Sequence, residues 1–303
     1  MAITRDQREL RRRYIGASDV PIILGLSPWK SCADLWLQKT GRVEDEAEND
    51  AMQTGNLMEP VTRQWAALKL ECEIELPETK FHPGGILLAN LDGQVKDRPE
   101  ILECKWTSQP EGYGDDDSGD IPGYVAAQCQ AQLAVCGPEY KIVHVAVAMP
   151  AFRGLDFKMF HVQRDNEVCD GIVKICAEFW NNNVLGDVRP DDFKPSSEFL
   201  NRMRRVPSKT VPLDDALVDE WVFQCAVAKQ EQDKADAIKD KIKAALGDAE
   251  AGQLPDGRLL TFYEQTTARV DTTRLKKEMP QVAAAYIKET AFRVMRLPKS
   301  KGK

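Results

Sequence analysis

LLANLDGQVKDRPEILECK, residues 87–105, is the stretch on which the reading of this chain turns. With Ile86 before it, its apolar front through Ala89 reads as a strand leading to Asp92. Asn90, Asp92 and Gly93 are turn formers, and Lys96 to Glu100 is a charged turn closed by Pro99. From Ile101 to Trp106 apolar and charged residues alternate, the period of a half-buried strand. In such a hairpin Asp92 stands at one strand end, while Glu103 and Lys105 share a face of the next strand, because side chains two apart point the same way. Two carboxylates and an ammonium then meet in a small space. Carboxylates that close repel each other unless a cation lies between them, and hard oxygen ligands suit Mg²⁺ or Mn²⁺. A lysine beside the ion could orient or activate a water, or steady charge on a phosphoryl group. The same residues also describe a solvated hairpin with a surface ion pair, and the hairpin alone does not decide between the two.

The 303-residue chain is long enough for a full core with an appendage. Its 43% hydrophobic and 29% charged content is that of an ordinary soluble protein. No apolar run approaches the length of a membrane span, and MAITRDQRELRRRY at the N-terminus has no apolar core of a secretory signal. A cytoplasmic location in a bacterial host follows as the expectation. The 8 cysteines include no CxxC pair, so a zinc site and a disulfide scaffold are not expected. Cys129/Cys136 and Cys169/Cys176 do not match the runs that bind iron–sulfur clusters either. Reduced, mostly buried thiols are the simplest state. A net charge of −7 argues against a strongly basic, non-specific nucleic-acid binder. It leaves room for a nuclease, in which bound cations supply positive charge locally.

Along the chain, residues 5–13 read as a basic helix. Ser18 and Asp19 are N-cap candidates for a helix from about Val20, with Pro21 in its first turn. A basic arm before an exposed helix N-terminus is a phosphate site or merely a capped surface helix. After GLSPW a helix starts at Ser31 or Cys32 and ends at Gly41. An acidic loop over 42–53 precedes a helix over 52–70, with Leu57, Val61, Trp65 and Leu68 as its apolar stripe. Glu59 near its start is a plain helix-favouring glutamate or, beside the hairpin, a third carboxylate. Glu71 to Leu76 reads as a strand. Residues 108–122 form a long Gly- and Asp-rich connection whose charges are expected to be solvated. In the helix over 123–135, Gln128 and Gln132 share a face while Gln130 lies opposite. Tyr140–Ala148 is a β-branched run fit for a central strand, Phe157–Val162 is another strand, and 166–185 is a helix with Val168, Ile172, Ile175, Phe179 and Trp180 inward. This order makes an α/β sandwich with a mixed central sheet. Proline-rich residues 186–213 then lead to a long helix over 214–246, a hairpin around Pro255-Asp256-Gly257, a helical stretch over 272–289 and a basic tail.

IGASDVPIILGLSPW at 15–29, GNLMEP at 55–60, LDG at 91–93, LECK at 102–105 and IPGYVAAQCQAQLAV at 121–135 together resemble the YqaJ-type viral recombinases. That is the phage lambda exonuclease family of the PD-(D/E)xK nuclease superfamily. The resemblance covers roughly the first two thirds of the chain. It implies a restriction-endonuclease-like fold, with a nuclease core over 1–205 and a mainly helical C-terminal extension over 206–303. By the same resemblance Glu59, Asp92 and Glu103 ligate Mg²⁺, Mn²⁺ substituting, with two ions in the site and the backbone carbonyl of Cys104 as a further ligand. Lys105 would orient or activate the attacking water. Gln130, with Gln128 close by, would match the active-site glutamine, and Arg11 and Ser18 the positions that hold the 5′-phosphate. Asn90 stands where the lambda-type pattern has a small hydroxyl, and Leu91 where the superfamily often has proline; an asparagine can still donate to phosphate.

The activity implied is 5′-to-3′ digestion of double-stranded DNA ends in phage or prophage recombination. It would leave 3′ single-stranded tails for a single-strand annealing protein, with the enzyme a homotrimer around the DNA. The alternatives are an endonuclease or end-processing nuclease of the same superfamily, and a catalytically silent DNA-binding module.

Overall fold

The computed structural model describes residues 5–44, 49–287 and 295–297, with side chains from residue 9. The N-terminal helices are α1 (Arg5–Arg13), α2 (Val20–Ile23), α3 (Cys32–Lys39) and α4 (Asp50–Lys69), with β1 (Ile15–Gly16) between the first two. Short strands follow: β2 (Ile74–Glu75), β3 (Lys80–Phe81), β4 (Leu87–Ala89) and β5 (Gly93–Val95). Then come β6 (Glu100–Trp106), α5 (Gly123–Cys136), β7 (Ile142–Ala151), β8 (Gly154–Gln163), α6 (Asn166–Glu178) and α7 (Ser197–Arg202). The C-terminal elements are α8 (Asp215–Leu246), β9 (Ala251–Gln253), β10 (Leu259–Thr261), α9 (Thr272–Glu278) and α10 (Pro280–Ala285). Residues 288–289 of the expected last helix and most of the basic tail lie outside the described residues.

The main sheet runs β2-β5-β6-β7-β8, and β1-β4-β3 form a small second sheet. β6 and β7 are parallel, from Glu100 opposite Ile142 to Trp106 opposite Ala148. Parallel neighbours need a crossover, which α5 provides. β7 returns antiparallel into β8 through a hairpin closed at Ala151 and Gly154. Strand alternation then fixes the layers. Ile101, Val143, Val145, Val147 and Phe160 share one apolar cluster with Val125, Cys129 and Leu133 of α5. Leu102, Ala146 and Met159 point the other way, to Ala66 of α4. The result is the expected α/β sandwich, a mixed sheet flanked by helices with a largely helical C-terminal segment. Compact packing divides the chain into residues 1–205 and 206–303. Among the described residues, no helix is long and apolar enough to cross a membrane.

Several local expectations are corrected. Ser31 does cap α3, in a reciprocal pair with Asp34. Asp19 does not cap α2; its carboxylate instead reaches back to accept from Gly16 N at 3.0 Å, closing the short turn before that helix, and pairs with the buried Lys39 at 2.6 Å. Lys39 also donates to the carbonyls of Arg11 and Tyr14, so its charge is fully met. On α4, Leu57 and Leu68 are 76% and 74% exposed, whereas Thr62 and Ala66 are buried. The face pressed to the sheet carries small and polar residues because it approaches β6 closely, and no hydropathy pattern marks it. On α6 the buried line is Cys169, Ile172, Cys176 and Phe179, one residue away from the expected Val168 and Ile175, which are exposed. Cysteine does the work of an aliphatic there. The strand expected over 71–76 is only β2.

The acidic connection is not simply solvated. Ser118 pairs as a bridge with Phe160, Asp117 N donates to Met159 O at 2.7 Å, and Lys69 holds Asp116 and Asp117. All eight cysteines are free, four of them buried.

Candidate active site

β5 is short, and its last partner on β6 is Leu102, opposite Gly93. Beyond that rung β6 has no strand on this side. The N–H of Cys104, which a longer β5 would have bonded, donates instead to Asp92 Oδ2 at 2.8 Å. Asp92 is thus fixed against the open edge of β6. Gly93 is dictated by packing: a Cβ there would lie 2.5 Å from Ile74 Cγ2 and 3.3 Å from Leu102.

Glu103 and Lys105 point to the α5 side of the sheet. Glu103 is 3% exposed, and both its oxygens are held. Oε1 meets Lys105 Nζ at 2.6 Å and Gln128 Nε2 at 2.6 Å; Oε2 accepts from Gln132 Nε2 at 2.5 Å. Gln128 Oε1 accepts in turn from Lys105 Nζ at 2.9 Å. Glu59 reaches the same place from α4 and is ion-paired with Arg63, whose Nε donates to Asp92 O at 2.6 Å. A cleft of about 290 Å³ opens between these groups, lined by Gly55, Glu59, Asp92, Glu103, Cys104, Lys105 and Trp106.

The electrostatics follow from crowding acids in a dry place. Burial, then the neighbouring charge of Glu103, pushes the Asp92 carboxyl well above the usual carboxylate range. Burial alone would lower Lys105, but the Glu103 charge and hydrogen bond outweigh it and hold the ammonium up to about 12. Burial raises the Cys104 and Cys129 thiols, so neither is a nucleophile here.

Residues 7–139 match the family model of the YqaJ-like viral recombinase domain. Over 294 residues the chain is 33% identical to the uncharacterized protein YqaJ of Bacillus subtilis (strain 168), covering 93% of this chain and 90% of that protein. The chain belongs to the YqaJ-like viral recombinase family. Among solved structures, the alkaline exonuclease LHK-Exo from Laribacter hongkongensis is similar with a TM-score of 0.48, at 20% identity over 61% of this chain and 94% of that one. The phage related exonuclease from Haemophilus somnus 129PT is similar with a TM-score of 0.43, at 12% identity over 60% and 99%.

In this YqaJ family member the expected residues separate into two groups. Glu59, Asp92, Glu103, Cys104 and Lys105 line one cleft, and Gln128 joins them through Glu103 and Lys105. Gln130 does not. Its amide donates to Gln163 O at 2.7 Å and accepts from Asp165 N at 3.1 Å, on the opposite side of α5. The helix period explains the correction: Gln128 and Gln132 face the sheet together and Gln130 braces the start of α6. Arg11 and Ser18 are exposed, on α1 and on the turn between β1 and α2. Asn90 is exposed too, and accepts from Thr79 Oγ1 at 2.7 Å. None of these three lines the cleft, although the Ser18 turn packs on α5 and β4. Arg63 was missed; it lies four residues after Glu59 on one helix face, the one signal that could have found it.

The donor set suits a hard divalent ion: carboxylate oxygens, with one acid's proton affinity raised by burial and then by its acidic neighbours. Among the described residues no three acidic, histidine or cysteine side chains are already gathered as ligands of one ion. Protein donors hold the carboxylates instead: Arg63 on Glu59, Cys104 N–H on Asp92, and Lys105, Gln128 and Gln132 on Glu103.

Proposed function

We propose that this YqaJ family chain is a divalent-metal-dependent 5′-to-3′ exonuclease on double-stranded DNA ends. The observation that carries the reading is the convergence of Glu59, Asp92, Glu103 and Lys105 on one cleft at the open edge of β6. A nuclease needs an oriented water, neutralised phosphoryl charge and a stabilised leaving oxygen. Mg²⁺, with Mn²⁺ as substitute and two ions at full occupancy, would be held by Glu59, Asp92, Glu103 and the Cys104 carbonyl and would supply Lewis-acid stabilisation and an acidified water. The chain's own groups do the rest. Lys105 carries a fixed positive charge to balance a phosphoryl oxygen or orient the water. Gln128 holds Lys105 and Glu103 in mutual register. Arg63 ties Glu59 to the backbone at Asp92 and so positions both acids at the cleft.

Arg11, Ser18 and Asn90 form the 5′-phosphate pocket in this reading, with Arg11 supplying charge-assisted bonds. The products are 3′ single-stranded tails handed to a single-strand annealing protein during phage or prophage recombination, in the bacterial cytoplasm and by a homotrimer.

The test is digestion of linear duplexes labelled at each 5′ end in turn, with and without a 5′-phosphate, beside covalently closed circles. Stepwise loss from phosphorylated 5′ ends with circles intact is expected, and Lys105→Ala should cut the rate by at least ~100-fold while DNA binding survives. Circles digested as fast as linear DNA would move the activity to an endonuclease. Wild-type rates in Lys105→Ala would remove the site.

A further inference from the structure

Glu103 is unusual in having its two oxygens treated differently. Oε1 meets Lys105 and Gln128, both only partly buried, and Lys105 lines the cleft. Oε2 meets only Gln132, which is 0% exposed. Gln132 sits on α5 beside Leu133 and Cys129, where a leucine or methionine would fill the space with no polar group to satisfy. Its own Oε1 is buried without a hydrogen-bond partner. Leaving an amide oxygen bare in a core is destabilising, so packing alone does not account for a glutamine here. What the amide does provide is a permanent donor to one oxygen of the buried acid.

We infer that Gln132 is a positioning residue that commits Glu103 Oε2 to the protein and leaves Oε1 alone for a cation in the cleft, so that Gln132 sets which divalent ion the site accepts. This rests on the metal-dependent reading above. Mg²⁺ and Mn²⁺ favour compact octahedral shells with single-oxygen carboxylate ligands. Ca²⁺ takes a larger, looser shell and readily uses both oxygens of one carboxylate. An acid with one oxygen already engaged favours the first kind of ion. The division of labour is consistent: Lys105 lines the cleft and Gln128, bonded to it, is only partly buried, so both can give up Oε1 to an ion, whereas Gln132 is fully buried, where nothing from solvent competes.

Gln132→Met tests this, because it keeps the length, removes the donor and removes the unsatisfied oxygen. Mn²⁺ and Ca²⁺ affinities are measured by calorimetry on the full chain without DNA, beside the thermal midpoint of the ion-free protein. Expected are a Mn²⁺ affinity about tenfold weaker, as for other supports of metal ligands, and a Ca²⁺ affinity little changed or tighter; the midpoint reports only whether the variant folds, since the substitution removes one bare buried oxygen and strips Glu103 Oε2 of its donor. A merely structural amide leaves the Ca²⁺-to-Mn²⁺ preference unmoved whatever the midpoint does, and that result overturns the assignment. Should Gln132→Met not fold, Gln132→Asn, which keeps the amide but falls short of Glu103, is read the same way, and loss of the fold in both also overturns it. Wild-type protein that binds neither ion overturns this inference and the metal-dependent reading together. Ion binding with the expected preference but no DNA hydrolysis leaves it standing and overturns the exonuclease alone.

Discussion

The N–H of Cys104 would be an orphan at the sheet edge were Asp92 not there to accept from it. That one bond joins structure to chemistry, since the oxygen that caps the strand also brings a carboxylate within the field of Glu103. Burial first and that field second raise the proton affinity of Asp92, and a cation is the natural relief. The two glutamines of α5 separate chemistry from bracing in the same way. Gln128 touches only Glu103 and Lys105, whereas Gln130 touches the backbone of Gln163 and Asp165. Gln128→Ala should therefore lower the hydrolysis rate by at least about tenfold with little change in thermal midpoint. Gln130→Ala should leave the rate near wild type and cost about 1–3 kcal/mol of stability by removing the amide's two hydrogen bonds to the backbone of Gln163 and Asp165. Parallel rate assays and denaturant titrations of the two variants check this, and a rate lost in Gln130→Ala with stability intact would reverse the assignment. His144 adds a pH effect of known sign. Burial holds its pKa below the usual histidine value, against the pull of Glu100 and with the push of His161. The unfolded chain therefore binds more protons than the native one just below about pH 6.5, and stability falls as pH drops through that window. Thermal midpoints should decline from about pH 7.5 to 5.5, and less steeply in His144→Asn.

β5 and β6 were legible because a hairpin writes its own signals: a strand period of two, a charged turn, and Asp-Gly at the mouth. The structure puts Asp97 of that turn in the left-handed region at φ 59°, as a tight reversal needs. α5 and β7 were legible for the same local reasons. The hidden parts are those decided by tertiary packing. The inward face of α4 is Gly55, Glu59, Thr62 and Ala66, which no hydropathy rule selects, while leucines that look like core lie in solvent. β1 and β3 are two residues each and exist only as partners of β4. The docking of 116–118 on β8 runs through backbone bonds of Asp117 to Met159 and of Ser118 to His161, some forty residues away in the chain. Of the site, the Asp-Gly and Glu-x-Lys pieces could be read directly, but the choice between Gln128 and Gln130 needed the helix phase relative to the sheet. Gly93 shows how tightly β2, β5 and β6 meet. In Gly93→Ala the added methyl would lie 2.5 Å from Ile74 Cγ2, and overpacking of this kind costs about 1–3 kcal/mol. Denaturant unfolding should show that loss, and Ile74→Ala in the same chain should recover part of it. An unaltered midpoint in Gly93→Ala would mean that β2 yields freely.

The core belongs to the first unit. Every buried residue of both apolar clusters lies between Ile15 and Phe199, and the partly buried ones packed on them end at Met203. Beyond residue 205 only Ala283 is buried among the described residues, and α8 buries none along its 32 residues. Residues 204–214, between the last contact of the core and the start of α8, are exposed throughout. Burial of apolar area is the main favourable term in folding. It follows that residues 1–205 hold nearly all the stabilising surface, along with every group that lines the cleft. A chain ending at Arg205 should fold alone, melt in one cooperative transition within about 5 °C of the full chain, and keep its Mn²⁺ affinity. Brief protease treatment of the full protein should cut first between residues 204 and 214, where exposed backbone is accessible. If the shortened chain fails to fold or loses the ion, the C-terminal segment contributes to the core's stability in a way its exposed surface does not reveal. If it folds and binds but loses only hydrolysis of long duplexes, the extension acts on the substrate rather than on the fold.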